Sequence, residues 1–204
     1  MIGMRVLVVG QGGREHALVE ALHNADDHPR VYVTPGNPGM EPLAERVAIA
    51  PTDVESIVGW SRKNEIDFVV VGPESPLALG LADALREVGI AVLGPGAAGA
   101  RLESSKRYSK ELLQRLGLPT AAFRVATTAD EAEAMLKGAI YPVVLKADGL
   151  AAGKGVVIAA DEKEAFSTID SWLREGDLGE AGFTILIEEF LRGEETSILV
   201  LSDG

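Results

Sequence analysis

The sequence predicts an α/β protein that opens with a doubly wound parallel sheet and continues into a smaller α+β unit. Three observations predict this. Short runs of Val, Ile and Leu lack polar alternation, so they read as strands buried on both faces. Stretches with helical spacing separate them, the pattern of a parallel sheet with helices on its faces. Three of the runs end in a glycine loop, and ligands of such sheets bind beyond the carboxyl ends of the strands.

Met4–Val9 is the first strand and Gly10–Gly13 the tight turn after it. Arg14–Leu22 has helical spacing, with Ala17, Leu18, Ala21 and Leu22 on one side. Arg30–Thr34 is the second strand, ended by Pro35-Gly36-Asn37-Pro38-Gly39. Asp53 is a good N-cap for a helix reaching about Asn64. Asp67–Val71 is a third strand, stopped by Gly72-Pro73, and Leu77–Val88 an amphipathic helix. Ala91–Leu93 is a short strand closed by Gly94-Pro95-Gly96. This first domain is expected over residues 1–103.

A linking helix is expected within 104–118: Ser104–Leu116 is charged and ends at Gly117, with Pro119 at the joint. Phe123–Ala126 reads as a strand, and Thr128-x-x-Glu131 as a capping box opening a helix to Lys137. Strands follow at Pro142–Ala147 and Gly155–Ala159, joined by a glycine loop over Asp148–Lys154. Asp161-x-x-Glu164 opens a helix to about Arg174, and Phe183–Glu188 is the next strand. A turn at Phe190–Gly193 leads to a last, strongly apolar strand, Glu195–Asp203, which wants neighbours on both sides. The small subdomain is expected over 119–191, and 192–204 as the start of a further domain whose open edge could associate with a partner.

The 204 residues are 47% hydrophobic and 25% charged, an ordinary globular composition. Cysteine is absent, which excludes disulfides and thiolate chemistry. His16, His23 and His28 show no metal-ligand spacing. The net charge of −12 argues against nucleic acid or an anionic membrane as partner, and leaves room for a local basic pocket. The opening apolar run ends in glycines, so it reads as a strand and not a signal peptide, and nothing approaches the ~18 apolar residues of a membrane span. A cytoplasmic location is expected.

The chemistry concentrates in the loops. Gly10-Gln11-Gly12-Gly13-Arg14-Glu15-His16 follows a strand and opens a helix, where backbone amides attract a phosphate and Arg14 could clamp it. Against a dinucleotide fingerprint stands Glu15 in the position of the last glycine. Asn37 and Glu74 sit in rigid loops on the same rim, so a pocket there is expected. Lys146-Ala147-Asp148-Gly149-Leu150-Ala151-Ala152-Gly153-Lys154-Gly155 puts three glycines and two lysines in ten residues, the make-up of a flap over phosphates. It is no Walker A loop: Gly155 stands where Ser or Thr would hold magnesium, and a strand follows. Glu188-Glu189-Phe190-Leu191-Arg192-Gly193-Glu194-Glu195 offers backbone groups in an apolar slot for adenine and carboxylates for a ribose.

These segments, with Ser105-Lys106 and Gly72-Pro73-Glu74-x-Pro76-Leu77, closely resemble the glycinamide ribonucleotide synthetases, ligases of the ATP-grasp superfamily, along the whole chain. The resemblance implies an N-terminal (pre-ATP-grasp) domain, the small ATP-grasp subdomain, and the first strand of a large one. It implies ligation of glycine to 5-phosphoribosylamine, by way of glycyl phosphate, giving glycinamide ribonucleotide, ADP and phosphate in purine synthesis. ATP and Mg2+ would be the cofactors, with Mn2+ as substitute. Lys146 and Lys154 would be catalytic on the transferring phosphoryl group. Lys106, Lys146, Gly149, Gly153, Lys154 and Gly155 would hold the phosphates; Glu188, Glu189, Phe190 and Leu191 the adenine; Glu195 the ribose. Gly12, Gly13, Arg14, Glu15, Asn37, Pro38, Gly72, Pro73 and Glu74 would surround the phosphoribosyl group. Family members run to about twice this length, and the metal ligands are expected in the C-terminal part they add. A chain without them is expected to be inactive alone; the alternative reading is a non-catalytic fragment that binds ligand or a partner, and the less favoured one a Rossmann-type dinucleotide enzyme.

Overall fold

A computed structural model describes residues 3–151 and 153–200. The chain divides into two compact units, 1–109 and 110–204.

The first unit is built on five parallel strands: β1 (Arg5–Gly10), β2 (Arg30–Pro35), β3 (Glu45–Arg46), β4 (Phe68–Val71) and β5 (Ala91–Leu93), in spatial order β3-β2-β1-β4-β5. β1 lies at the centre, paired to β2 from Arg5↔Arg30 to Gly10↔Pro35 and to β4 from Val6↔Phe68 to Val9↔Val71. Its side chains go alternately to two cores. Leu7 and Val9 join Val69, Val71, Ile57, Leu81 and Leu85, while Val6 and Val8 join Val31, Val33, Val19 and Met40. Burial on both faces is why the strand carries no polar alternation.

The helices are α1 (Gly13–His23), α2 (Val54–Lys63), α3 (Glu74–Ala78), α4 (Leu81–Glu87) and α5 (Ala97–Ser104). Asp53 caps α2 as expected, accepting from the Ser56 amide. The single helix expected over Leu77–Val88 is two, broken at Gly80, whose φ of +86° is left-handed. The helix expected over Ser104–Leu116 is α6 (Lys106–Arg115), set off from α5 by an extended Ser105 whose Oγ accepts from the Tyr108 amide. α5 and β3 have no counterpart among the elements expected from the sequence.

The second unit is an antiparallel sheet of β6 (Phe123–Ala126), β7 (Val143–Ala147), β8 (Val156–Ala159) and β9 (Ile185–Glu189), ordered β6-β9-β7-β8. Helices α7 (Ala129–Leu136) and α8 (Glu162–Ile169) pack on one face, where Val143, Leu145, Ala147, Ile185 and Ile187 meet Leu136, Ala165 and Ile169. Thr128 and Asp161 cap these helices as their sequence pattern requires. α8 runs on through a π-helical stretch, Asp170–Glu175, that buries Trp172. Arg174 there pairs with Asp130, Glu133 and Asp170.

The registers Val144↔Glu188, Lys146↔Leu186, Phe123↔Glu188 and Lys146↔Val156 put Lys146, Glu188, Phe123 and Val156 on the opposite, open face. The expected last strand is not found among the described residues. Glu195–Val200 forms no strand: no described strand lies beside it to take its hydrogen bonds, and Ile198, Leu199 and Val200 stand exposed. Residues 201–203 of that expected strand lie outside the described residues.

Candidate functional site

Two candidate regions arise, one in each unit. In the first, parallel strands bring the loops after β1, β2 and β4 to one edge of the sheet. Hydrogen bonds stitch these loops together. The Gly36 amide donates to Gly10 O (3.2 Å), Asn37 Nδ2 to Gln11 O (2.9 Å), and Arg14 Nη2 to Gly72 O (2.5 Å). Pro38 opens a short 3-10 turn whose Gly39 amide is held by Asn37 Oδ1. Pro73 stands immediately before α3, without a side-chain cap bond, and Glu74 is the helix's first residue.

Glu15 is not at the surface of this rim. It is buried, its Oε2 accepts the Gly12 amide at 2.7 Å, and its Oε1 lies 3.0 Å from Arg14 Nε. A Cβ on Gly10 or Gly72 would fall 2.4 Å from Glu15 Cγ. The two glycines therefore exist to let this carboxylate stand between β1 and β4. Gly12 has no side chain to cap α1, so the amides at that helix start face an exposed loop of Gly12, Gly13 and Arg14.

In the second unit, Glu188 is buried on the open face of the sheet. Its Oε2 takes Lys146 Nζ and Lys110 Nζ, each at 2.9 Å, and its Oε1 is sealed without a partner. Lys110 went unnoticed in the sequence; the available signal was its position one helical turn after Lys106 on α6. Beside Lys146, the loop from Asp148 to Gly155 needs its glycines. Gly149 and Gly153 have φ of +125° and +81°, and a Cβ on Gly155 would lie 2.7 Å from Ala151 Cβ. Lys154 is exposed on this loop.

Glu189 Oε1 accepts the Ala122 amide at 2.7 Å, which pins the start of β6. Phe190 and Leu191 follow β9 and are exposed, and Glu195 lies in the exposed segment without regular structure. Lys106 opens α6 in the first unit. Among the described residues, no three His, Asp or Glu side chains lie close enough to hold a metal ion.

A parallel α/β unit followed by a small antiparallel sheet with a glycine loop is an arrangement found in ATP-grasp proteins. The folds of known structures agree. The phosphoribosylamine–glycine ligase of Thermotoga maritima superposes with a TM-score of 0.74 at 32% identity, over 94% of this chain and 45% of that one. The biotin carboxylase domain of the Hydrogenobacter thermophilus 2-oxoglutarate carboxylase, solved with MgADP, shares the fold at a TM-score of 0.71 and 22% identity. Family profiles narrow the class. That of the phosphoribosylglycinamide synthetase N domain matches residues 4–103, and that of the ATP-grasp (A) domain of the same synthetase matches 104–204. The chain belongs to the phosphoribosylglycinamide synthetase family. It is 47% identical to the phosphoribosylamine–glycine ligase of Allochromatium vinosum, over 98% of this chain and 47% of that protein. It is 45% identical to part of a trifunctional purine biosynthetic protein of Drosophila melanogaster. The chain thus spans about half the length of the ligases it matches.

Proposed function

We propose that this chain is the nucleotide- and ribose-phosphate-binding part of a ligase joining glycine to 5-phosphoribosylamine with ATP. The observation that carries the nucleotide half is the pairing of Lys146 with buried Glu188 beside the glycine loop. A phosphate arriving there meets an ammonium already aimed at the open face, and a loop whose backbone can close on it. The exposed face beside it, with Val156 and Ile158 about half exposed, gives a planar base an apolar surface. Since the Glu188 carboxylate is taken up by two lysines, adenine is read by backbone groups of the Glu188–Leu191 segment, with Phe190 and Leu191 against the ring.

On the first unit, the Gly13 amide and the outer edge of Arg14 receive the ribose phosphate, with Gly12, whose own amide is held by Glu15, letting it approach the backbone. Asn37, Pro38, Gly72, Pro73 and Glu74 shape its surroundings, and Glu15 acts as a buried post that holds the loop. Mg2+ or Mn2+ would accompany the nucleotide on ligands other than these residues. Lys106, Lys154 and Glu195 remain proposed contacts to phosphates and ribose. The domain limits of 103, 118 and 191, a cytoplasmic location, and association through the exposed segment after Gly193 belong to the same reading. No helix among the described residues is long and apolar enough to cross a membrane.

The test is calorimetric titration of the full chain with ADP, and separately with ribose 5-phosphate. Lys146→Ala should weaken ADP binding about tenfold or more, and Arg14→Ala should do the same for ribose 5-phosphate, as expected for losing a charge-assisted contact. Unchanged affinity in either variant refutes the corresponding half. Release of ADP and phosphate by the chain with ATP, glycine and phosphoribosylamine would show that catalysis needs no further ligands.

A further inference from the structure

Lys110 and Lys146 share one oxygen of Glu188, but they are held differently. The Lys110 side chain is 12% exposed and that of Lys146 29%. The Lys110 ammonium also donates to Ala121 O at 3.2 Å and lies 5.7 Å from the centre of the Phe123 ring. Lys146 has Glu188 as its only polar partner among the described residues, and it stands on β7 next to the glycine loop. A carboxylate this buried, with one oxygen already lacking a partner, cannot lose its last cation without a large penalty. One lysine is free to leave provided the other stays, and the packing identifies which.

We propose that Lys110 is the standing counter-ion of Glu188, a positioning residue that releases Lys146 to move from the carboxylate to a nucleotide phosphate. This rests on the nucleotide reading above. In the resting protein Glu188 keeps Lys146 on the open face. When an anion arrives, Lys146 turns to it and Lys110 alone neutralises Glu188. Without Lys110, the incoming phosphate would have to break the last ion pair of a buried carboxylate.

The test uses the full chain and two readouts. The first needs no nucleotide: 15N relaxation of the lysine ammonium groups. The Nζ order parameter of Lys146 should be lower than that of Lys110, and Lys110→Met should raise that of Lys146. A Lys110 ammonium more mobile than that of Lys146, or a Lys146 ammonium indifferent to Lys110→Met, overturns the proposal. The second is ADP affinity. Lys110→Met should weaken it about tenfold, Lys110→Arg should restore it, and in a Glu188→Gln background Lys110→Met should have little effect. An equal loss in both backgrounds would mean that Lys110 acts on the ligand or on the fold, and would overturn the proposal. If Lys146→Ala leaves ADP affinity unaltered, the nucleotide reading fails instead, and the relaxation data still decide how the lysines are shared.

Discussion

Replacing Gly72 by alanine tests the buried post directly. The new Cβ would fall 2.3 Å from Glu15 Oε1 and 2.4 Å from its Cγ, far inside van der Waals contact. The backbone of Gly72 has no left-handed φ, so the substitution acts through this collision alone, unlike one at Gly10, where φ is +134°. Glu15 cannot swing clear without giving up the Gly12 amide at 2.7 Å. Loss of a helix cap costs about 1 kcal/mol, and forcing a methyl group into a packed site about 1–3 kcal/mol. The sum is about 2–4 kcal/mol, which at about 4–5 °C per kcal/mol for a unit of about 100 residues lowers the melting temperature by roughly 10–20 °C. Differential scanning calorimetry of the full chain measures this. Because the clash needs both partners, Gly72→Ala should be milder in a Glu15→Ala background than in the wild type. A Gly72→Ala variant melting within about 2 °C of wild type, or a strictly additive double variant, would refute the packing argument.

Three further outcomes are expected. The Glu131 carboxylate, which accepts the Thr127 amide and hydroxyl, is held below its ordinary pKa. Its contribution to stability is present above the ordinary carboxylate range and is lost as pH falls through the depressed folded value. The melting-temperature gap between wild type and Glu131→Gln should therefore be open at neutral pH and close in acid. Tyr141 has a buried hydroxyl without a partner, and burial, with Glu162 and Asp161 nearby, raises its pKa. Tyr141→Phe should leave stability unchanged or raise it by about 1 kcal/mol, and a loss measured by urea denaturation would mean that the hydroxyl is satisfied. Gly149→Ala places a side chain at φ +125° and 3.3 Å from Ala181, so it should stiffen or displace the loop and weaken ADP binding in titration calorimetry.

The strands of the first unit were legible because β1, β2 and β4 are buried on both faces, which writes an uninterrupted Val-rich run into the sequence. Helix caps at Asp53, Thr128 and Asp161 were legible because their chemistry is local. The break at Gly80 was not, since leucines at positions 77, 81 and 85 keep helical spacing straight across it. β3, of two residues, has too little pattern to read. Of the candidate sites, the glycine loops and Lys146 were visible as motifs. The pairing of Lys110 with Glu188 was hidden, because it joins a helix to a strand far along the chain. Burial of Glu15 was hidden too: the signal was its flanking glycines, which read equally well as phosphate-binding loops.

The order β6-β9-β7-β8 has a consequence for how the protein is made. In the first unit the central strand is synthesised first, and neighbours can add to it as they leave the ribosome. In the second, one of the two inner positions goes to β9, the last of its described strands to be made. β6 pairs with β9 and with no other strand of the sheet, so it must wait through two helices and a hairpin before its partner emerges. Until then β6 is an open edge, exposed to nascent neighbours and chaperones. A ribosome that stalls between β6 and β9 would release a finished first unit tethered to an unfinished second one, and proteases would see the boundary between them.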